Sequence, residues 1–333
     1  MTVSRAIWIG MLTAALSCGQ EESGELPVLV RSFAEVEKPA PPFENGKFEP
    51  KPGETIAFLG GTNTFNLQRN GDLEMHLHLA WSDHDLKIRN LGWQGDTIFY
   101  QARPRFFWTK TGDPQPGSTP DIRKKTEPGI VFIQFGKMES LEGESALPKF
   151  SAAYAELLEL LRAKKTSRIV LLGPTPFFPT GPAADLAESR NTVLAKFSTE
   201  MAKLAADRDL LFVDVFGAMK EDPNASTNGV HLTDAGHAQL AEIVAEQLGF
   251  PDSTASSDID PIRVAIQRKS KLWQQFYHPT NWAFLFGDRQ HVPASRHHVD
   301  TEKRWFIDEV NSLPSLISET EADIHRYARE AAK

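Results

Sequence analysis

The sequence predicts an α/β protein, a five-stranded parallel sheet with helices on both faces, followed by a C-terminal helical extension. Three observations predict it. Short strand-like runs recur at 55–59, 86–89, 130–135, 169–172 and 210–213, most of them apolar and partly β-branched, as strands buried on both faces require. Helix-period segments separate them, the pattern of βα alternation. At 333 residues, 41% of them hydrophobic, the chain can bury a full core and still carry an extension.

The first strand breaks at Gly60-Gly61-Thr62-Asn63. The two glycines allow a turn without a Cβ clash and present Thr62 at its tip. Open parallel sheets bind ligands just outside the carboxyl ends of their strands, so a hydroxyl there is a candidate for chemistry. On these residues alone, a plain strand-to-helix connection fits equally well. Leu73, Leu77, Ala80 and Trp81 then recur at helical spacing. The second strand leads into Asn90-Leu-Gly-Trp-Gln-Gly-Asp-Thr97, and the third into Gly136-Lys137-Met138-Glu139. An amphipathic helix covers 150–161, and the fourth strand closes on Gly173-Pro-Thr-Pro176. A helix rich in Ala, Leu and Lys spans 184–206, and Thr233 is placed to cap a last one ending before Gly249. Right-handed crossovers bring the strand ends, and Asn228-Gly-Val-His231, to one rim. A hydroxyl, a glycine amide and a histidine on one rim suit acyl transfer.

Together these segments resemble the SGNH/GDSL hydrolase family over residues 54–248. The resemblance implies a flavodoxin-like three-layer sandwich and an esterase-type reaction. It also exposes departures. The family's Gly-Asp-Ser block reads Gly60-Gly61-Thr62 here, so Thr62 stands at the nucleophile's position with an added methyl that stiffens χ1. Gly95 matches the oxyanion glycine. The Gly-x-Asn-Asp block reads Gly136-Lys137-Met138-Glu139, and Met138 has no donor to complete an oxyanion hole. The Asp-x-x-His block keeps His231 as base but puts Asn228 in place of the orienting carboxylate. Losing one oxyanion donor costs on the order of 10²–10³ in rate, and an amide for that carboxylate about 10⁴ in the serine-protease case. Two readings follow: an ester hydrolase, acting on acyl or acetyl esters of carbohydrate with Thr62 as nucleophile or water-positioner, or a catalytically silent protein binding a glycan or protein partner in the same cleft. Asn63 is a candidate substitute oxyanion donor and Glu139 a candidate partner of His231 or base, against helix capping and a lysine pair respectively. The combination Gly-Gly-Thr-Asn and Phe-Gly-x-Met-Glu-Ser also resembles a subset of this family found in large exported bacterial proteins.

A net charge of -8 argues against nucleic acid as partner, which calls for a basic face. Arg5 and the apolar run 6–16 read as a signal peptide ending at Cys18, the only cysteine. Its setting resembles a lipoprotein lipobox, implying export and membrane anchoring through Cys18, with ordinary cleavage near Ser17 as the alternative. Residues 19–52 read as an extended tether, 53–250 as the hydrolase-like domain, 251–259 as a linker and 260–333 as a helical extension docked on the main domain. The extension holds three of the seven tryptophans, and its loop 277–296 is equally a wall of the cleft or a structural brace. No cofactor is expected: the glycines lack a nucleotide-binding pattern. His76 and His78 point to different helix faces, and His291, His297 and His298 lack an acidic or cysteine partner at ligand spacing, so no metal is expected.

Overall fold

The computed structural model describes residues 42–100, 128–163, 168–219, 222–251, 259–285 and 289–332. The leader with Cys18, most of the tether and most of the linker lie outside the described residues. Strands β1 (Thr55–Gly60), β2 (Lys87–Asn90), β3 (Ile130–Gln134), β4 (Arg168–Leu172) and β5 (Leu211–Val213) form one sheet in the order β2-β1-β3-β4-β5. Every pairing is parallel. Each strand lies within about a residue of its position in the sequence reading. The α-helices among the described residues, in chain order, are α1 (Thr62–Asn66), α2 (Asp72–Ala80), α3 (Leu147–Ala163), α4 (Ala187–Ala206), α5 (Val215–Ala218), α6 (Asp234–Gln247), α7 (Asp260–Tyr277), α8 (Trp282–Leu285) and α9 (Ile307–Ala331).

The period of two along β1 divides the core. Ile56 and Phe58 pack in one layer with Leu73 and Leu77 of α2 and Leu240 and Val244 of α6. Ala57 and Leu59 face the other layer, with Phe150 and Tyr154 of α3 and Phe197 and Met201 of α4. The strand order reverses direction at β1, which pairs with β2 on one side and β3 on the other. That switch point splays the loops after β1 and β3 apart and opens a crevice at their carboxyl ends. Gly60 and Gln134 stand opposite each other in register at its floor.

Three features depart from the sequence reading. The segment 42–52 is not wholly a tether. Phe48 is 2% exposed, with its ring 5.4 Å from that of Trp81, 5.6 Å from Phe132 and 5.3 Å from Phe250. One aromatic can anchor a stretch whose average composition is polar, and a composition average hides it. The spacing of apolar residues suggests two helical pieces at the end of the extension, around Trp305 and over 317–332, but the structure has one helix of 25 residues, α9, with Pro314 inside it. Trp305 lies in the turn before α9, where Phe306 adopts a left-handed φ of 65°. Thirdly, the helix read at 184–206 begins as a 3-10 segment (Gly181–Leu186) before α4.

The extension covers the outer edge of β2. Three alternate carbonyls on that edge, Leu86, Ile88 and Asn90, accept from His325 Nε2 at 2.8 Å, Lys269 Nζ at 3.3 Å and Trp273 Nε1 at 2.7 Å. Side chains thus take the hydrogen bonds that would otherwise template another strand. Buried charges fasten the same interface. Lys269 donates to Glu74 Oε2 at 2.8 Å, and Arg89 pairs with Glu321 through both terminal guanidinium nitrogens. Burial alone would raise the Glu74 carboxyl, but the Lys269 and His78 beside it outweigh burial and hold it below its ordinary value of 4.5. Its contribution to stability is therefore present above that value and lost as pH falls through the lower folded-state pKa.

Candidate active site

The turn after β1 is shaped by close backbone approach. A Cβ on Gly60 would stand 2.1 Å from Thr64 Oγ1 and 2.6 Å from the Gln134 carbonyl, and one on Gly61 2.7 Å from the Asp96 carbonyl. Both positions therefore demand glycine. Gly61 precedes the first turn of α1, so Thr62 opens that helix at the crevice. The loop after β2 crosses over it, and the Gly95 N–H donates to Thr62 Oγ1 at 3.4 Å. Thr62, Gly95, Met138 and His231 line one cleft of about 300 Å³, with Phe135, Lys137, Thr175 and Val230 among the other walls. Its described lining runs from Gly61 to His231. None of the described residues of loop 277–296 is among them.

His231 is held from below. The side chain of Asn228 folds back on its own loop, its Oδ1 accepting the N–H groups of Val230 at 3.0 Å and His231 at 2.8 Å. Those two donors fix the amide's orientation. Asn228 Nδ2 must then be the atom 3.0 Å from His231 Nδ1, and an amide N–H can only donate. Nδ1 is the acceptor, so the ring proton sits on Nε2. An orienting carboxylate would impose the opposite tautomer. Burial first, then the charge of Lys137, lowers the His231 pKa from 6.5 and keeps the ring neutral. No hydrogen bond joins Thr62 Oγ1 to His231 among the described residues.

Asn63 and Glu139 are near the site but occupied. Asn63 Oδ1 accepts the Leu232 N–H at 3.1 Å, and its Nδ2 donates to Thr175 Oγ1 at 3.1 Å. It does not cap α1; it lines the cleft and ties the nucleophile turn to the histidine loop. Glu139 is 2% exposed. Its oxygens accept the N–H groups of Ile98 at 2.6 Å and Gly136 at 2.8 Å. Among the described residues it pairs with neither His231 nor a lysine; two backbone donors hold it. Burial raises its pKa against the effect of those donors. Glu139→Gln turns one acceptor into a donor facing an N–H, an expected loss of about 1–3 kcal/mol, readable in urea unfolding at constant m-value. Met138 is 46% exposed at the lip of the cleft and contributes apolar surface only.

Three groups were not singled out from sequence. Lys137 is buried at the cleft and donates to Val230 O at 2.6 Å, Pro176 O at 2.7 Å and Thr175 Oγ1 at 3.2 Å. Burial pushes its ammonium down to about 7. Thr175 is 1% exposed and lines the cleft. His237 bridges the Thr233 and Asn63 carbonyls at 2.9 and 3.1 Å. Lys137 stood inside a recognised block and Thr175 directly after a strand end, which was the available signal. Among the described residues no group of histidine, cysteine, aspartate and glutamate side chains could hold a metal ion.

The model of the GDSL-like lipase/acylhydrolase family matches residues 61–239, more than half of the chain. The chain belongs to that family of ester hydrolases. Thr62, Gly95, Met138 and His231 fall inside the matched span and line one cleft.

Solved structures similar to this family member include a GDSL-like lipase of Parabacteroides merdae, at 19% identity over 61% of this chain and 99% of that one, with a TM-score of 0.47. A gut microbial diltiazem-metabolizing enzyme aligns at 20% identity over 62% of this chain and 49% of that one, TM-score 0.43. The acetylxylan esterase of Geobacillus stearothermophilus, as a catalytic mutant, aligns at 19% identity over 61% and 97%, TM-score 0.43. No curated protein matches the chain.

Proposed function

We propose that this chain hydrolyses short acyl esters, with acetylated carbohydrate of the cell envelope as the substrate class, and that it does so slowly. The observation that carries the reading is the shared cleft, in which the Gly95 N–H donates to the Thr62 hydroxyl and His231 lines the same walls. A cleft of about 300 Å³ favours a small acyl group. Asp96 and Thr97 on its walls put a carboxylate and a hydroxyl beside a hydroxylated alcohol portion. Thr62 Oγ attacks the acyl carbon while its proton passes to His231 Nε2. The ester C–O bond then breaks as His231 returns that proton to the departing alcohol. Water repeats the sequence on the acyl-threonine, releasing the carboxylic acid and restoring Thr62. Each cycle must first place the imidazole proton on Nδ1, against the Asn228 amide. That requirement is the reason for slowness. Export with a lipid on Cys18 belongs to the same proposal and is supported by Arg5, the apolar run and the cysteine setting. Among the described residues no helix is long and apolar enough to cross a membrane.

The Asn228 tautomer also favours a second reading, a silent member that binds its ligand without cleaving it. Hydrolysis of 4-nitrophenyl acetate and of acetylated sugars decides between the two. The expected result is slow turnover, lost in both Thr62→Ala and His231→Ala with the fold intact. Absence of turnover by the natural protein on both substrates selects the silent reading.

A further inference from the structure

The family's asparagine donor is missing at Met138, yet the cleft holds a hydroxyl whose proton has been left over. Thr175 follows β4 and is 1% exposed. Its oxygen receives two hydrogen bonds, from Asn63 Nδ2 at 3.1 Å and from Lys137 Nζ at 3.2 Å. Asn63 cannot reverse, and Lys137, whose ammonium is pushed down to about 7, cannot do so in its protonated form. Asn63 is oriented by the Leu232 N–H on its Oδ1. Lys137, as an ammonium, spends its other two protons on the Pro176 and Val230 carbonyls. A hydroxyl has two lone pairs and one proton. With both lone pairs taken, the proton must be given away, and no described residue accepts it. Thr175 lines the same cleft as Thr62 and Gly95, where a bound substrate would supply the acceptor.

We propose that the Thr175 hydroxyl donates to the substrate's acyl oxygen, as the second member of the oxyanion hole beside the Gly95 N–H. It stands in for the amide that Met138 lacks. Two hydrogen bonds accepted at its oxygen, one from a cation, polarise the O–H and strengthen the bond it donates. The same donor would hold one oxygen of the carboxylate product. This inference rests on the ester-hydrolase reading for its catalytic form, but product binding tests it independently of turnover.

The experiment compares the natural protein with Thr175→Val and Thr175→Ser, reading kcat and KM on 4-nitrophenyl acetate and the Kd of acetate by NMR titration. Thr175→Val is expected to lower kcat by about 10²–10³ with little change in KM, because the bond tightens as charge develops on the oxygen. Its acetate Kd is expected to rise about tenfold, the value of a hydrogen bond to a charged group. Thr175→Ser restores both. A role confined to propping the loop would move KM and thermal stability together instead. If Thr175→Val does not fold, Thr175→Cys, of similar size and a weak donor, is read in its place. Loss in either readout with rescue by serine supports the donor role. Acetate binding that depends on Thr175 without any turnover keeps the donor role and discards the hydrolase. Turnover and acetate affinity both indifferent to Thr175→Val overturn the inference and leave the hydrolase standing. A natural protein that neither cleaves the ester nor binds acetate overturns both.

Discussion

Asn228→Asp is expected to raise kcat on short acyl esters, by up to about 10⁴-fold, the size of the tautomer effect when a carboxylate and an amide are exchanged behind a catalytic histidine. The geometry that makes this a gain is already in place. The carboxylate would keep one oxygen on the Val230 and His231 N–H groups that Asn228 Oδ1 now accepts. Its other oxygen would sit where Nδ2 lies, 3.0 Å from His231 Nδ1, and would accept an Nδ1–H. Nε2 then carries a lone pair toward the cleft, where a base is needed. A second signature accompanies the first. In the natural protein, burial and Lys137 hold His231 below 6.5, so any acid limb in kcat/KM falls below that pH. A carboxylate favours the imidazolium, raises the histidine pKa and moves the limb to higher pH. Kinetics of the single variant across pH 4–9 check both. A kcat that stays put would mean that proton transfer through His231 does not limit the reaction.

Breaking the Arg89–Glu321 pair carries the largest expected loss of stability. Arg89 sits at the edge of the sheet with its side chain 10% exposed, and Glu321 of α9 is 7% exposed. The guanidinium also lies 5.1 Å from the Trp273 ring centroid, in a setting closed by α7 and α9. Glu321→Leu would leave that charge buried with its main partner gone, a loss of about 3–5 kcal/mol. For a domain of this size the expected fall in Tm is on the order of 10 °C. Replacing both partners, Arg89→Leu with Glu321→Leu, is expected to recover much of the loss, because the cost lies in the orphaned charge more than in the missing attraction. Thermal melts of the two singles and the double give the coupling directly. Equal losses in the double and the Glu321 single would instead point to packing around α9.

The parallel sheet was legible because its signals are local. Apolar runs of strand length between helix-period segments fix the class, and crossover handedness then puts the loops after β1, β2 and β3 on one rim. Thr62, Gly95 and His231 could be named for the same reason: each follows a recognisable strand or precedes a recognisable helix. Phe48 escaped because burial of one ring is decided by its partners Trp81, Phe132 and Phe250, which composition does not reveal. Asn63 and Glu139 line the cleft, and their side chains bond to partners that the sequence did not suggest. Side-chain direction depends on which donor or acceptor reaches first, and for Glu139 that is the N–H of Ile98, distant in sequence.

By itself, then, the sequence determined the architecture, the rim and the substitutions at Thr62, Met138 and Asn228. These follow from periodicity, turn chemistry and the donor inventory of single residues. Only the tertiary structure decided what the substitutions do. The tautomer of His231 depends on two backbone N–H groups orienting one amide, and the spare proton of Thr175 on a lysine and an asparagine that arrive from other strand ends. Hydrogen-bond direction is a property of a closed network, and a network closes only when the chain has folded.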